Sequence, residues 1–193
     1  MNRSIWFSIL SILAVVGLVG GLTFAFFSDE GTSNDNVFAT GTLDLKLSDD
    51  TPETNQDNVV ASFGGTAMAP GDSVSGQLRL KNFGTIAADH AEVVITNNNS
   101  DSVNPLDRVL ELTTLNYDGS SVLSQLASDP NGNGYPDLDD LEAIGLDNLA
   151  LTNLGTNHPL DMTVQMRSTA GNEYQGDNVD SDWTITLNQD STQ

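Results

Sequence analysis

Apolar side chains at every second position constrain this chain more than any other feature. Leu43, Leu45 and Leu47 alternate with Asp44 and Lys46, and Val74, Gly76, Leu78 and Leu80 alternate with Ser75, Gln77, Arg79 and Lys81. The pattern returns at Val93 and Ile95, at Met162, Val164 and Met166, and at Trp183, Ile185 and Leu187. Successive side chains on a strand point opposite ways, so a period of two gives one apolar face and one polar face. Turn formers punctuate the runs, with Pro70-Gly71-Asp72 before one and Asn82-Phe83-Gly84 after it. Strands with one wet face bury the other by packing two antiparallel sheets together. A parallel α/β fold needs long amphipathic helices between its strands, and the sequence offers none there. The predicted fold is therefore all-β, an antiparallel β-sandwich, with short helices only at Ser121–Ala127 and Leu138–Ile144. Asn97-Asn98-Asn99-Ser100 and Gly171–Asp182 read as exposed loops, the first with an N-glycosylation sequon at Asn98.

The N-terminus follows a different rule. Arg3 precedes an apolar run that starts at Ile5 and ends in Gly20-Gly21-Leu22-Thr23-Phe24-Ala25. A basic start, an apolar middle and small residues at the exit describe a secretory signal helix. Thr23 and Ala25 suit cleavage between Ala25 and Phe26, and the glycine pair loosens the helix where a peptidase needs extended chain. The rival is an uncleaved anchor, because the apolar run reaches the ~20 residues that span a bilayer. The division read from this is 1–25 signal peptide, 26–36 N-terminal segment and 37–193 sandwich, with membrane contact only through the signal segment. The polar ending Asn188–Gln193 predicts no C-terminal anchor, and the chain has no cysteine to carry a lipid.

Charge narrows the function. Against 27 acidic residues stand 6 basic ones, a net charge of −21. A phosphate backbone would be repelled, which excludes nucleic acid as a partner. Without cysteine there are no disulfides, thiolate metal sites or thiol nucleophiles. Such a surface suits an exterior rich in salt or calcium, where counter-ions screen its self-repulsion, or an ordinary acidic secreted protein.

The segment Thr23-Phe24-Ala25-Phe26-Phe27-Ser28-Asp29-Glu30, followed by Val37-Phe38-Ala39-Thr40-Gly41-Thr42-Leu43-Asp44-Leu45, closely resembles the TasA/camelysin family. Further matching stretches are Pro70-Gly71-Asp72, Leu80 to Ala87, Gly132 to Pro136 and Tyr174 to Asp177. The resemblance implies export through a SipW-type signal peptidase and a jelly-roll-like subunit. It also implies polymerisation into biofilm-matrix fibres or bundling pili, a head-to-tail homopolymer in which one N-terminal segment is the donor strand of the next subunit. Phe26 and Phe27 would then start the mature chain, and polar residues 28–36 separate them from Val37 and Phe38. Burying each ring is worth roughly 1.5–3 kcal/mol, so the rings fold back, enter lipid or fill a neighbour's groove.

One stretch has the spacing of a calcium loop. Asp129, Asn131 and Asn133 hold positions 1, 3 and 5, Gly134 the tight turn, Tyr135 a carbonyl at 7, Asp137 position 9 and Asp140 position 12. Asp replaces the usual Glu at the last position, and Pro136 lacks an amide; a plain turn with solvated acids is the alternative. The family's camelysin branch carries a metallopeptidase label, yet the sequence has no His-Glu-x-x-His, and His90 and His158 read as surface residues. No Gly-x-Ser-x-Gly elbow is present either. The reading is a non-enzymatic fibre subunit, ahead of a monomeric calcium-dependent surface or matrix binding module and a secreted metallopeptidase.

Overall fold

The computed structural model describes residues 3–22, 40–49, 54–60 and 63–190. It divides into two units, Met1–Ala39 and Thr40–Gln193. In the first, α1 covers Arg3–Leu22. At 1.5 Å per residue such a helix is about 30 Å long. Its Trp6, Phe7, Leu10 and Leu13 are exposed.

The second unit is an all-β sandwich. Its strands are β1 (Leu45–Ser48), β2 (Ser73–Asn82), β3 (His90–Asn99), β4 (Leu110–Tyr117), β5 (Ser120–Ser121), β6 (Leu146–Ala150), β7 (His158–Met166) and β8 (Val179–Asn188), with α2 (Leu138–Ile144) before β6. One sheet runs β1-β2-β7-β4-β5 and the other β6-β3-β8, every pairing antiparallel. Alternation does what the sequence demands of it. In β7 the residues His158, Leu160, Met162, Val164 and Met166 are buried while those between are partly exposed. Leu78 and Leu80 of β2, Val93 and Ile95 of β3, and Leu112 and Leu115 of β4 complete the centre of the core.

Several local expectations need correction. The strand read from the alternation of Leu43, Leu45 and Leu47 begins only at Leu45, because residues 40–44 are irregular. Asn97–Asn99 belong to β3 rather than a loop: Asn97, Asn98 and Asn99 pair with Ser181, Asp180 and Val179 of β8. The stretch 171–182 is likewise strand from Val179 onward. Polar composition misled there because two-sided exposure at a sheet end tolerates Asn and Asp. The helical patch at 121–127 is a single 3-10 turn, Leu123–Leu126. The helix at 138–144 has the expected bounds.

The chain enters the sandwich through a buried asparagine. Asn82 is fully buried; its Oδ1 accepts from Asp44 N (3.3 Å) and Gly84 N (2.9 Å), and its Nδ2 donates to Ile86 O (2.9 Å). A Cβ at Gly84 would stand 2.1 Å from Thr42 O, so the Asn-Phe-Gly turn admits only glycine at that close approach.

Candidate metal centre

The loop between the 3-10 turn and α2 coils around its own side chains. Asp129 (φ 43°), Gly132 (71°) and Gly134 (85°) take left-handed backbone, which turns the chain tightly enough for this. Asp129 Oδ1 accepts from Asn133 N (3.1 Å) and Oδ2 from Gly134 N (2.8 Å). Asn131 Oδ1 accepts from Asn133 N (3.1 Å), and Asn133 Oδ1 from Tyr135 N (2.9 Å). Leu112 N donates to Pro136 O (2.8 Å) and pins the loop to β4.

At its far end the loop becomes a helix. Asp137 caps α2 by accepting from Asp140 N (3.0 Å), while Asp140 Oδ2 accepts from Asp137 N (3.3 Å), a reciprocal capping box. Both carboxylates are fully buried. Asp140 Oδ1 has no hydrogen-bond partner, and burial, with the charges of Asp137 and Asp129 behind it, pushes the Asp140 carboxyl up to about 6. Two amides complete the ring: Asn131 Nδ2 donates to Asp137 (3.1 and 3.2 Å) and Asp139 (3.0 Å), and Asn133 Nδ2 to Asp137 (2.5 Å) and Arg108 O (3.1 Å). A half-turn of either amide presents its oxygen instead of its nitrogen.

The structure thus gathers Asp129, Asn131, Asn133, Asp137 and Asp140 at one loop, with Tyr135 held beside them and its ring stacked 3.9 Å from the Arg167 guanidinium. It adds Asp139, which the spacing argument passes over because calcium-loop position 11 normally faces away. Oxygen donors alone, with one buried carboxylate oxygen unmet, suit a hard cation such as calcium rather than zinc.

Both histidines are buried, not on the surface as their acidic and proline neighbours suggest. His158 opens β7, its Nδ1 2.7 Å from Asp118 Oδ2 and its ring stacked on Tyr117. His90 opens β3 and is 2 % exposed. Its Nδ1 lies 3.1 Å from Asp89 Oδ2, and its Nε2 lies 3.2 Å from Asn188 Nδ2, 3.6 Å from Glu92 Oε1 and 3.7 Å from Asp147 Oδ1. Hydrogen bonding to Asp89 raises the His90 pKa, burial opposes it, and Glu92 and Asp147 add to the rise. The two longer separations exceed hydrogen-bond length and approach the ~3.3 Å between ligands of one tetrahedral ion. An imidazole with two carboxylates, its other nitrogen facing Asp89, is a donor set that fits a zinc-type ion.

Asn98 is exposed on β3. Ala25, Phe26, Phe27, Val37 and Phe38 lie outside the described residues.

A search of curated proteins finds no match to the chain. Residues 1–109 match the camelysin metallo-endopeptidase family. That span takes in the N-terminal helix, the Asn-Phe-Gly staple and the strands through β3, more than half the sequence. The members of this family are exported proteins. With an apolar N-terminal helix leading into a two-sheet antiparallel sandwich, the chain belongs to the TasA/camelysin family.

Proposed function

We propose that this protein is a secreted structural subunit that polymerises by donor-strand exchange into extracellular fibres of the biofilm-matrix or bundling-pilus kind. The observation that carries the reading is the outer edge of β8. An eight-stranded jelly roll puts four strands in each of its two sheets. Here β2-β7-β4-β5 makes one such sheet, with β1 added outside β2, and β6-β3-β8 makes three-quarters of the other. Among the described residues no strand pairs to the outer edge of either β6 or β8, and the acceptor we assign is the longer edge, the ten residues of β8 against five in β6. Side chains respond to that open edge. Ala91, Val93 and Ile95 of β3 are at most 2 % exposed, while Leu187, Ile185 and Trp183, their partners on β8, are only partly buried.

An added strand would satisfy the free main-chain groups of β8 and cover those three side chains. The occupant is the segment 26–38 of a second copy, with Phe26, Phe27, Val37 and Phe38 as its apolar contacts. A head-to-tail contact of this sort grows a filament when its rotation does not close. Cleavage after Ala25 by a SipW-type peptidase frees the donor, calcium at the 129–140 loop stiffens the subunit, and the exposed Asn98 is open to glycosylation. Cations also screen the repulsion between subunits of charge near −21.

Electron microscopy of the mature chain, with and without residues 26–38, tests this. The mature chain is expected to form long filaments, and the truncated chain to stay monomeric and to bind a synthetic 26–38 peptide. Filaments of unchanged form from the truncated chain would overturn the donor assignment. A mature chain that is monomeric in every salt and calcium condition would support the binding-module reading instead.

The family description favours a second reading, a secreted metallopeptidase, and the cluster of His90, Glu92 and Asp147 is the observation on its side. Pure protein is expected to leave casein intact with or without chelator. Chelator-sensitive hydrolysis that Glu92→Gln removes would replace the structural reading.

A further inference from the structure

A second group of acids stands next to the loop, and sequence spacing gives no hint of it. Asp107 follows β3 in the 3-10 turn Leu106–Val109, with Asp139 and Glu142 on α2, and one oxygen of each lies within 4.8 Å of the other two. Asp107 is 2 % exposed. Its Oδ2 accepts from Asn99 Nδ2 (2.7 Å) and its N–H donates to Asn99 Oδ1 (3.2 Å), which fixes the side chain, yet Oδ1 has no partner. Glu142 is fixed too, because its Oε1 accepts from Asn97 N (3.0 Å). The cation nearby is Arg108, whose Nε is 3.4 Å from Asp139 Oδ2 and whose side chain is 54 % exposed. One solvated guanidinium does not offset three converging carboxylates, one of them nearly out of water. A buried carboxylate in that position takes up either a proton or a metal ion.

We propose that Asp107, Asp139 and Glu142 form a second calcium site, adjoining the first through Asp139, to which Asn131 of the loop donates. Three carboxylates, one on the 3-10 turn and two on α2, offer hard oxygen ligands, which calcium accepts and zinc or a small octahedral ion does not favour. The ion would tie the end of β3 to α2, while the loop ion ties α2 to the 3-10 turn before it. The choice of calcium rests on the same reading of the loop; the ligands do not.

Calcium bound per chain, measured on the full mature protein by equilibrium dialysis and elemental analysis, tests this. Two ions are expected for the parent chain and one for each of Asp107→Asn, Glu142→Gln and Asp129→Ala. Glu142 is on the partly exposed side of α2, so its variant keeps the test open if Asp107→Asn folds poorly. One ion, lost with Asp129→Ala and kept with Asp107→Asn and Glu142→Gln, overturns this site and leaves the loop standing. One ion with the opposite dependence overturns the loop and leaves this site. No bound calcium overturns both.

Discussion

Ile185→Asp is expected to abolish fibre growth, whereas Thr184→Asp, one residue away, is expected to leave it intact. Ile185 points between the sheets opposite fully buried Val93, and Thr184 points to solvent. In the isolated subunit an aspartate at 185 keeps part of its hydration, because that position is only partly buried. A donor strand laid on the edge removes that water, and burying an unpaired carboxylate costs several kcal/mol. At 1.4 kcal/mol per factor of ten, a cost of about 4 kcal/mol weakens each subunit contact roughly a thousand-fold. Both variants add the same single charge to an already anionic chain, so general repulsion cancels between them. The measurement is filament mass by sedimentation, with circular dichroism confirming that each variant is folded. Equal loss in both, or in neither, removes β8 as the acceptor edge.

The same strand shows what the sequence could convey. β2, the Met162–Met166 part of β7 and the Trp183–Leu187 part of β8 announce themselves through unbroken alternation, while the polar first half of β8 does not. β4 does not. Leu110 and Leu112 share a phase with each other but not with Leu115 and Tyr117, because the register against β7 shifts between Leu112 and Thr114. One extra residue at a bulge flips every later side chain, so a period-two scan sees two fragments too short to trust. The Asp118-Gly119 turn was the available signal: both residues have positive φ and join Tyr117 to Ser120 as a two-residue hairpin. β6 is hidden for another reason, since Leu146 and Leu149 are its buried side chains at a spacing of three, with Asn148 at φ 55° between them.

The candidate site divides along the same line. The loop ligands lie within one short stretch, where spacing alone brings them together. Asp107 meets Glu142 only because β3 and α2 pack side by side, and His90 meets Asp147 only because β3 pairs with β6. Contacts at such separations have no signature in a single chain's local pattern. Burial of the histidines was equally hidden: each has acidic residues close in sequence or space, and composition reads that as solvent.

Calcium in the 129–140 loop is expected to raise the melting temperature of the mature chain by roughly 5–10 °C, and Asp129→Ala to remove that ion's share of the shift. At a hundred times its dissociation constant a ligand stabilises the native state by about 2.7 kcal/mol, and 1 kcal/mol moves the midpoint of a domain this size by about 2–4 °C. The pH dependence gives the same ion a second signature. Without calcium, burial holds the Asp140 carboxyl up at about 6 in the native state, against the ordinary 3.8 of an aspartate in the unfolded chain. Between those values the native chain binds more protons than the unfolded one, so its stability falls as pH rises from about 4 to 6. Calcium favours the ionised carboxylate and competes with that proton, so the calcium-induced shift should be small at pH 4.5 and full above pH 7. Asp140→Asn should flatten the calcium-free profile over the same interval. A shift that Asp129→Ala leaves undiminished, or that is equally large at pH 4.5, would place the stabilising ion away from this loop.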